Sequence, residues 1–304
     1  MNKIVAYLNM APIVLFVYNR PEATQKAIEA LQSNLLASET ELYIFSDAAK
    51  DETVKEKVIA VRKIIHSING FKTITIIEAG ENKGLANSVI DGVSVVLQKY
   101  GKAIVLEDDL ITSPNFLSFM NQALDFYADN QQVISISGLT FRVDVPKDYQ
   151  YGVYYTHRMS SYGWGTWLDR WEAIDWNVND YNSFKYNLKK NLQFMKGGED
   201  LPRMLAAYMK GKINSWAIRF CYHQYKTGTY TVYPTQSKVD NIGFGKKGTN
   251  TVRQKKYDVI DFAESCETVF SFPDKVFINR HINKSFLRKY RTINRIIANY
   301  FVKK

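Results

Sequence analysis

The amino-acid sequence predicts an α/β fold: a mostly parallel, Rossmann-like sheet flanked by helices, an α+β second half, and a basic helical tail at the C-terminus. Three observations carry this expectation. Apolar runs of strand length alternate with segments of helical periodicity from residue 13 to residue 137. The apolar runs end in polar residues. Beyond residue 137 the alternation stops and glycine-punctuated aromatic segments take over.

The first apolar run, I-V-L-F-V over 13–17, has the composition of a strand buried on both faces. An amphipathic helix from Glu22 places Ala27, Ile28, Leu31 and Leu35 on one side. A second strand over 41–45 ends at Ser46-Asp47, and the next helix carries Val54, Val58, Val61, Ile65 and Ile68 at helical spacing. A third strand, 73–77, leads through a polar loop (78–84) into a helix over 85–100. A fifth strand is predicted over 132–137. Regular strand–helix alternation argues for a parallel sheet covered on both faces. Ligands of such sheets sit at the carboxyl ends of the strands. The polar groups expected there are Asn19-Arg20, Asp47, Asn82-Lys83-Gly84 and Glu107-Asp108-Asp109. No G-x-G-x-x-G follows the first strand and no G-x-x-x-x-G-K-[ST] occurs, so neither a dinucleotide fingerprint nor a P-loop is indicated.

The fourth strand is the organising one. Residues 103–106 are apolar and stop at three consecutive carboxylates, Glu107, Asp108 and Asp109. Three acids at the end of a core strand repel one another and lose hydration, so a compensating charge is required. Hard oxygen donors of this kind suit Mn2+ or Mg2+. An acidic cap without a metal is the plainer alternative. Ser113 as N-cap and Pro114 in the first turn predict a following helix with Phe116, Leu117 and Met120 buried.

In the second half, residues 149–157 are predicted extended, and S-S-Y-G-W-G-T-W-L-D-R-W (160–171) forms either an acceptor platform or an aromatic core. Helical segments are expected around 198–202 and 214–219. The loop 240–253, with three glycines and three cations including Lys246 and Lys247, has the character of a mobile segment closing over phosphates. In the tail, Arg280, Lys284, Arg288, Lys289, Arg291, Arg295, Lys303 and Lys304 surround Phe286, Leu287, Ile293, Ile296, Ile297 and Tyr300. That pattern fits either a helix on an anionic membrane surface or one packed on its own domain.

With 304 residues, 46% hydrophobic and 23% charged, the chain has the composition of an ordinary globular protein. A net charge of +10 implies an anionic partner, and no nucleic-acid-binding motif accompanies it. Two cysteines without C-x-x-C spacing indicate neither a disulfide framework nor a zinc site. The apolar N-terminus is interrupted by Asn9 and Pro12 and lacks a cleavage site, which argues against a signal peptide. The expected location is the cytoplasm, peripheral at the inner face of the membrane.

Six segments in series resemble the GT-A nucleotide-sugar-dependent glycosyltransferases, bacterial and family-2-like, with features of N-acetylglucosaminyltransferase I. They are P-I-V-L-F-V-Y-N-R-P, F-S-D, E-N-K-G-L-A-N, V-L-E-D-D-L-I-T-S-P-N-F, Y-G-W-G-T-W-L-D-R-W and P-T-Q-S-K-V-D-N-I-G-F-G-K-K-G-T. The resemblance implies a nucleotide-sugar and metal half (1–140), an acceptor half (141–272) and a separate tail (273–304). It implies that Arg20 and Asp47 hold base and ribose, and that Lys83 and Asn87 line the donor pocket. Asp109 would ligate Mn2+ or Mg2+, while Glu107 and Asp108 would touch ribose, sugar or water. The implied donor is a UDP-sugar, and the acceptor a glycan, lipid-linked or protein-linked group of bacterial surface polysaccharide or glycoconjugate synthesis. Configuration would be inverted through one general base. Relatives carry Trp-Asp near Trp216-Ala217, where alanine cannot serve, so Asp200 and its neighbour Glu199 are the candidates. Two other classes remain: a sugar nucleotidyltransferase, and a non-enzymatic module binding carbohydrate or nucleic acid.

Overall fold

A computed structural model of the chain describes residues 10–243, 260, 262 and 267–292. The predicted alternation is present. β1 (Ile13–Val17), α1 (Pro21–Gln32), β2 (Glu41–Ser46), α2 (Glu52–His66), β3 (Thr73–Glu78), α3 (Leu85–Tyr100) and β4 (Lys102–Glu107) follow in order. Then come β5 (Leu110–Thr112), α4 (Phe116–Phe126), β6 (Val133–Ser137), β7 (Val153–Thr156), β8 (Trp164–Trp167) and α5 (Leu168–Glu172). The remainder is α6 (Tyr181–Phe184), α7 (Leu188–Phe194), α8 (Leu201–Met209), α9 (Trp216–Thr227), β9 (Tyr230–Pro234), β10 (Val239–Asn241) and α10 (Arg280–Leu287).

Eight strands form one sheet in the order β3-β2-β1-β4-β8-β6-β9-β7, so strands from both sides of residue 140 share it. β3, β2, β1 and β4 are mutually parallel, as are β6 and β9. β8 runs antiparallel between β4 and β6, and β7 runs antiparallel to β9. The fold is therefore the mostly parallel, Rossmann-like α/β class, with antiparallel insertions. β1 shows why both faces are covered. Its five residues are all buried, Ile13, Leu15 and Val17 on one face with α1, α2 and α4, Val14 and Phe16 on the other with α3 and α9. Period-two alternation of apolar side chains gives each helical layer its own core.

Several boundaries moved. Helix α1 ends at Gln32, so Leu35, expected on its buried stripe, is exposed. Helix α4 begins at Phe116, not at Pro114, and Ser113 is not its N-cap. Ser113 Oγ donates to Asn115 Oδ1, and the cap comes from far away: Leu117 N–H donates to Asn34 Oδ1 at 3.0 Å. The aromatic segment 160–171 supplies β8 and packs inward. Trp164 is 1% exposed and stacks on Trp171 and Trp216, which makes this segment core. In the tail, Ile282 and Phe286 are buried with Tyr154 and Tyr233. The apolar side of α10 therefore faces its own domain instead of a membrane; residues 293–304 lie outside the described chain. Among the described residues, no helix is long and apolar enough to cross a membrane.

Candidate active site

The chain runs from β1 to β2 and β3 on one side, then returns to place β4 on β1's other side. The carboxyl ends of β1 and β4 thus flank a topological switch point, where an open α/β sheet leaves a crevice. β4 ends there at Glu107, whose register partner on β1 is Phe16. Arg20 follows β1 and stands just before α1.

Arg20 forks across the two aspartates. One guanidinium nitrogen donates to Asp109 Oδ2 at 2.7 Å and the other to Asp108 Oδ1. The backbone N–H of Tyr18 donates to Asp108 Oδ2 at 3.3 Å. The Arg20 side chain is 36% exposed while Asp108 is 2% exposed, so the pair forms a rim with one open side. Burial pushes the Glu107 carboxyl up to about 8, reinforced by the charges of Asp109 and Asp108 and opposed by Arg20. Burial likewise pushes Asp108 up to about 6 against the pull of Arg20. Burial alone would make Arg20 easier to deprotonate, but Asp108 and Asp109 outweigh it and raise its pKa. Among the described residues, Arg20 is the one cation paired with these two aspartates.

β10 closes the other side. It pairs antiparallel with β5, directly after the acids, with Asn241 opposite Leu110. Ile242 N–H then donates to the Asp109 carbonyl at 3.0 Å. A Cβ on Gly243 would sit 2.1 Å from Asp109 Oδ2, so only glycine lets the backbone pass this carboxylate. Local sequence reasoning missed this neighbour. D-N-I-G offered one signal, a glycine two residues past a short polar strand. Lys246 and Lys247, expected to close over phosphates, lie outside the described residues.

Asp47 and the loop before α3 form the next wall. Asp47, expected to hold base or ribose, accepts hydrogen bonds at both oxygens from this chain. Oδ1 receives the N–H groups of Ala48 and Lys83, both at 2.9 Å. Oδ2 receives Gly84 N–H at 2.9 Å and Asn82 Nδ2 at 3.1 Å. Gly84 stands at the head of α3 with φ 73°, a conformation that favours glycine. Asp47 therefore anchors the loop that starts α3. Lys83 and Asn87 sit on that loop and the first turn of α3. Lys83 Nζ pairs with Asp91 at 2.9 Å, and Asn87 Nδ2 donates to the Lys83 carbonyl at 3.0 Å.

Both expected base candidates are engaged by groups of this chain. Asp200 is 7% exposed and bound at both oxygens by Arg158, at 2.9 and 3.1 Å. The Arg158 guanidinium lies 3.9 Å from the Tyr290 ring centroid. Glu199 Oε2 accepts the Thr292 N–H at 2.7 Å. Both carboxylates hold the C-terminal segment on the domain. Asp200, expected as the base, is engaged at both oxygens in a buried ion pair with Arg158. Glu199, the other expected base, faces the tail.

Among the described residues, no group of three or more His, Cys, Asp or Glu converges as a ready-made metal cage. Mg2+ and Mn2+ sites completed by substrate phosphates need only one or two protein carboxylates. Arg20 takes Oδ2 of Asp109, and among the described residues no hydrogen bond reaches Oδ1. The donor chemistry fits such a cation, with Asp109 as the residue to hold it.

A family model described as Nucleotidyl transferase matches residues 23–160. Comparison with curated proteins finds no match. The mannosyltransferase PcManGT from Pyrobaculum calidifontis, solved with GDP-Man and Mn2+, is 12% identical, with 72% of this chain and 70% of that one covered and a TM-score of 0.40. TarS 1-349 from S. aureus is 12% identical, with 76% and 60% covered and a TM-score of 0.39. A UDP-glucose pyrophosphorylase complexed with UDP-glucose is 12% identical, with 76% and 92% covered and a TM-score of 0.38. The expected features of N-acetylglucosaminyltransferase I find no support among these and are not carried forward.

Proposed function

We propose that this chain is a nucleotide-sugar-dependent glycosyltransferase that binds its donor at the β1–β4 switch point. One observation supports the reading above the others: Asp108 and Asp109, next to Glu107, meet there, with Arg20 the one cation paired to them among the described residues. A structural acid cluster would be neutralised by its own chain. Among the described residues this one sets two aspartates against one arginine, a charge balance that a ligand bringing a cation would complete.

Asp109 would hold Mn2+ or Mg2+, which when bound neutralises the charge that develops on the leaving diphosphate. The other roles belong to the chain itself. Arg20 fixes the rotamers of Asp108 and Asp109 from its place before α1. Glu107, with a proton affinity near neutrality, donates to or accepts from a ribose or sugar hydroxyl. Asp47 holds the 82–84 loop, and Lys83 and Asn87 present the head of α3 to the nucleotide. The substrate class is a UDP-sugar, with a glycan, lipid-linked or protein-linked acceptor in bacterial surface polysaccharide or glycoconjugate synthesis, and transfer inverts the anomeric carbon.

A sugar nucleotidyltransferase is the second reading, favoured by the family model over 23–160. One pair of assays separates the two. Incubation with a panel of nucleotide sugars and Mn2+ is expected to release nucleoside diphosphate, and EDTA is expected to abolish that release. Pyrophosphate release from UTP plus a sugar 1-phosphate, with no turnover of any nucleotide sugar, would overturn the glycosyltransferase reading in favour of the second.

A further inference from the structure

We propose that α6 and α7 form a docking element for an anionic lipid surface. Tyr186, Leu188 and Leu192 enter the interface, and Lys185, Lys189 and Lys190 meet the headgroups. Tyr186 is 82% exposed, Leu188 81% and Leu192 66%. They are three of the four most exposed large apolar side chains among the described residues, and they fall within seven consecutive positions. Leu188 and Leu192 are spaced i, i+4, so they share one face of α7.

This exposure belongs to a pinned element. Phe184 and Phe194, each 1% exposed, lie beneath it and pack on one another and on Tyr222 and Tyr225 of α9. Asn187 caps α7 by accepting the Lys190 N–H at 3.0 Å. The fold therefore presents these leucines outward on a fixed base.

Charge selects the occupant. Residues 181–198 contain four lysines, Lys185, Lys189, Lys190 and Lys196, and no Asp or Glu. Met195, directly after α7, lines a cavity of about 310 Å3 with Glu199, Arg280, Lys284 and Arg291, which adds three cations against one carboxylate. A second copy on the same patch would bring lysine against lysine. A soluble polyanion would use the cations and leave the leucines in water. A bilayer surface with anionic headgroups takes both kinds of side chain, the apolar ones at the acyl boundary and the cations above it.

Sedimentation of the full chain with vesicles tests this. Wild type is expected to partition onto phosphatidylcholine vesicles carrying one-third phosphatidylglycerol, more weakly at high salt, and not onto phosphatidylcholine alone. The double variant Leu188→Gln/Leu192→Gln should lower partition about tenfold. Removing lysines by Lys185→Gln, Lys189→Gln and Lys190→Gln should lower it about fivefold each. Circular dichroism should show unchanged folding, since these side chains are exposed. Absence of wild-type binding to the anionic vesicles would overturn the proposal. So would equal partition of the leucine variant, which retains the whole tail. A concentration-dependent dimer abolished by the leucine changes, with no vesicle binding, would assign the patch to a second copy instead.

Discussion

Two acid doublets in this chain each face an arginine, and their environments differ. Asp200 and Arg158 are both buried and joined through two hydrogen bonds, one charge against one, with Tyr290 over the guanidinium. Asp108 and Asp109 share Arg20 one oxygen each, at a rim with one open side, beside a third carboxylate. The first arrangement is closed in charge and geometry, which makes it a structural clamp for the C-terminal segment. The second is left incomplete, and an incomplete charge set at a sheet's switch point is what a ligand can finish. Adjacent acids in sequence say little about role; how fully the fold neutralises them says more.

The largest expected effect breaks the closed pair. Asp200→Ala leaves the Arg158 guanidinium buried without its partner, and stability should fall by about 3–5 kcal/mol, the usual cost of opening a buried ion pair. Chemical denaturation would measure this. Turnover per folded molecule should stay near wild type; a selective loss of kcat in a fully stable variant would return Asp200 to the catalytic machinery.

The open set should respond in the opposite way. Asp109→Asn removes the carboxylate proposed to hold the cation, and transfer should fall by about 10²-fold or more, corresponding to several kcal/mol of transition-state charge stabilisation. Its thermal midpoint should be unchanged or higher, because one member of a repelling cluster is neutralised. Full activity in this variant would remove Asp109 from the site.

The smallest effect sharpens the contrast through pH. Glu107 rises from 4.5 to about 8 and Asp108 from 3.8 to about 6 on folding, burial being the first cause in both. The native state then binds more protons than the unfolded chain, so this contribution to stability is present at acid pH and lost as pH climbs through that window. Without metal or nucleotide, wild type should lose thermal stability between about pH 5 and pH 8 relative to Glu107→Gln. Parallel melting profiles for the two proteins would show that Glu107 keeps its ordinary titration.

Much of the first half was legible because its information is local. Apolar runs one strand long, helical periodicity between them and polar strand ends follow from side-chain spacing alone. They placed β1 to β4, α1 to α3 and the three acids where the structure has them. The second half was harder to read. Its strands are three to five residues long, and their partners lie far away in sequence: Trp164 pairs with both Val105 and Ser137, and Val153 with Pro234.

By itself, then, the sequence determined the parallel half of the sheet and the concentration of carboxylate at the end of β4. Tertiary structure decided who neutralises whom. Asp47 anchors the 82–84 loop because folding brings four N–H groups to its carboxylate. Asn34 caps α4 from 83 residues away, and Gly243 passes Asp109 only because β10 pairs with β5. Asp200 is held by Arg158, 42 positions earlier in the chain. A carboxylate's chemistry depends on the donors within about 3 Å of it, and those donors are chosen by packing across the whole chain, which local spacing does not record.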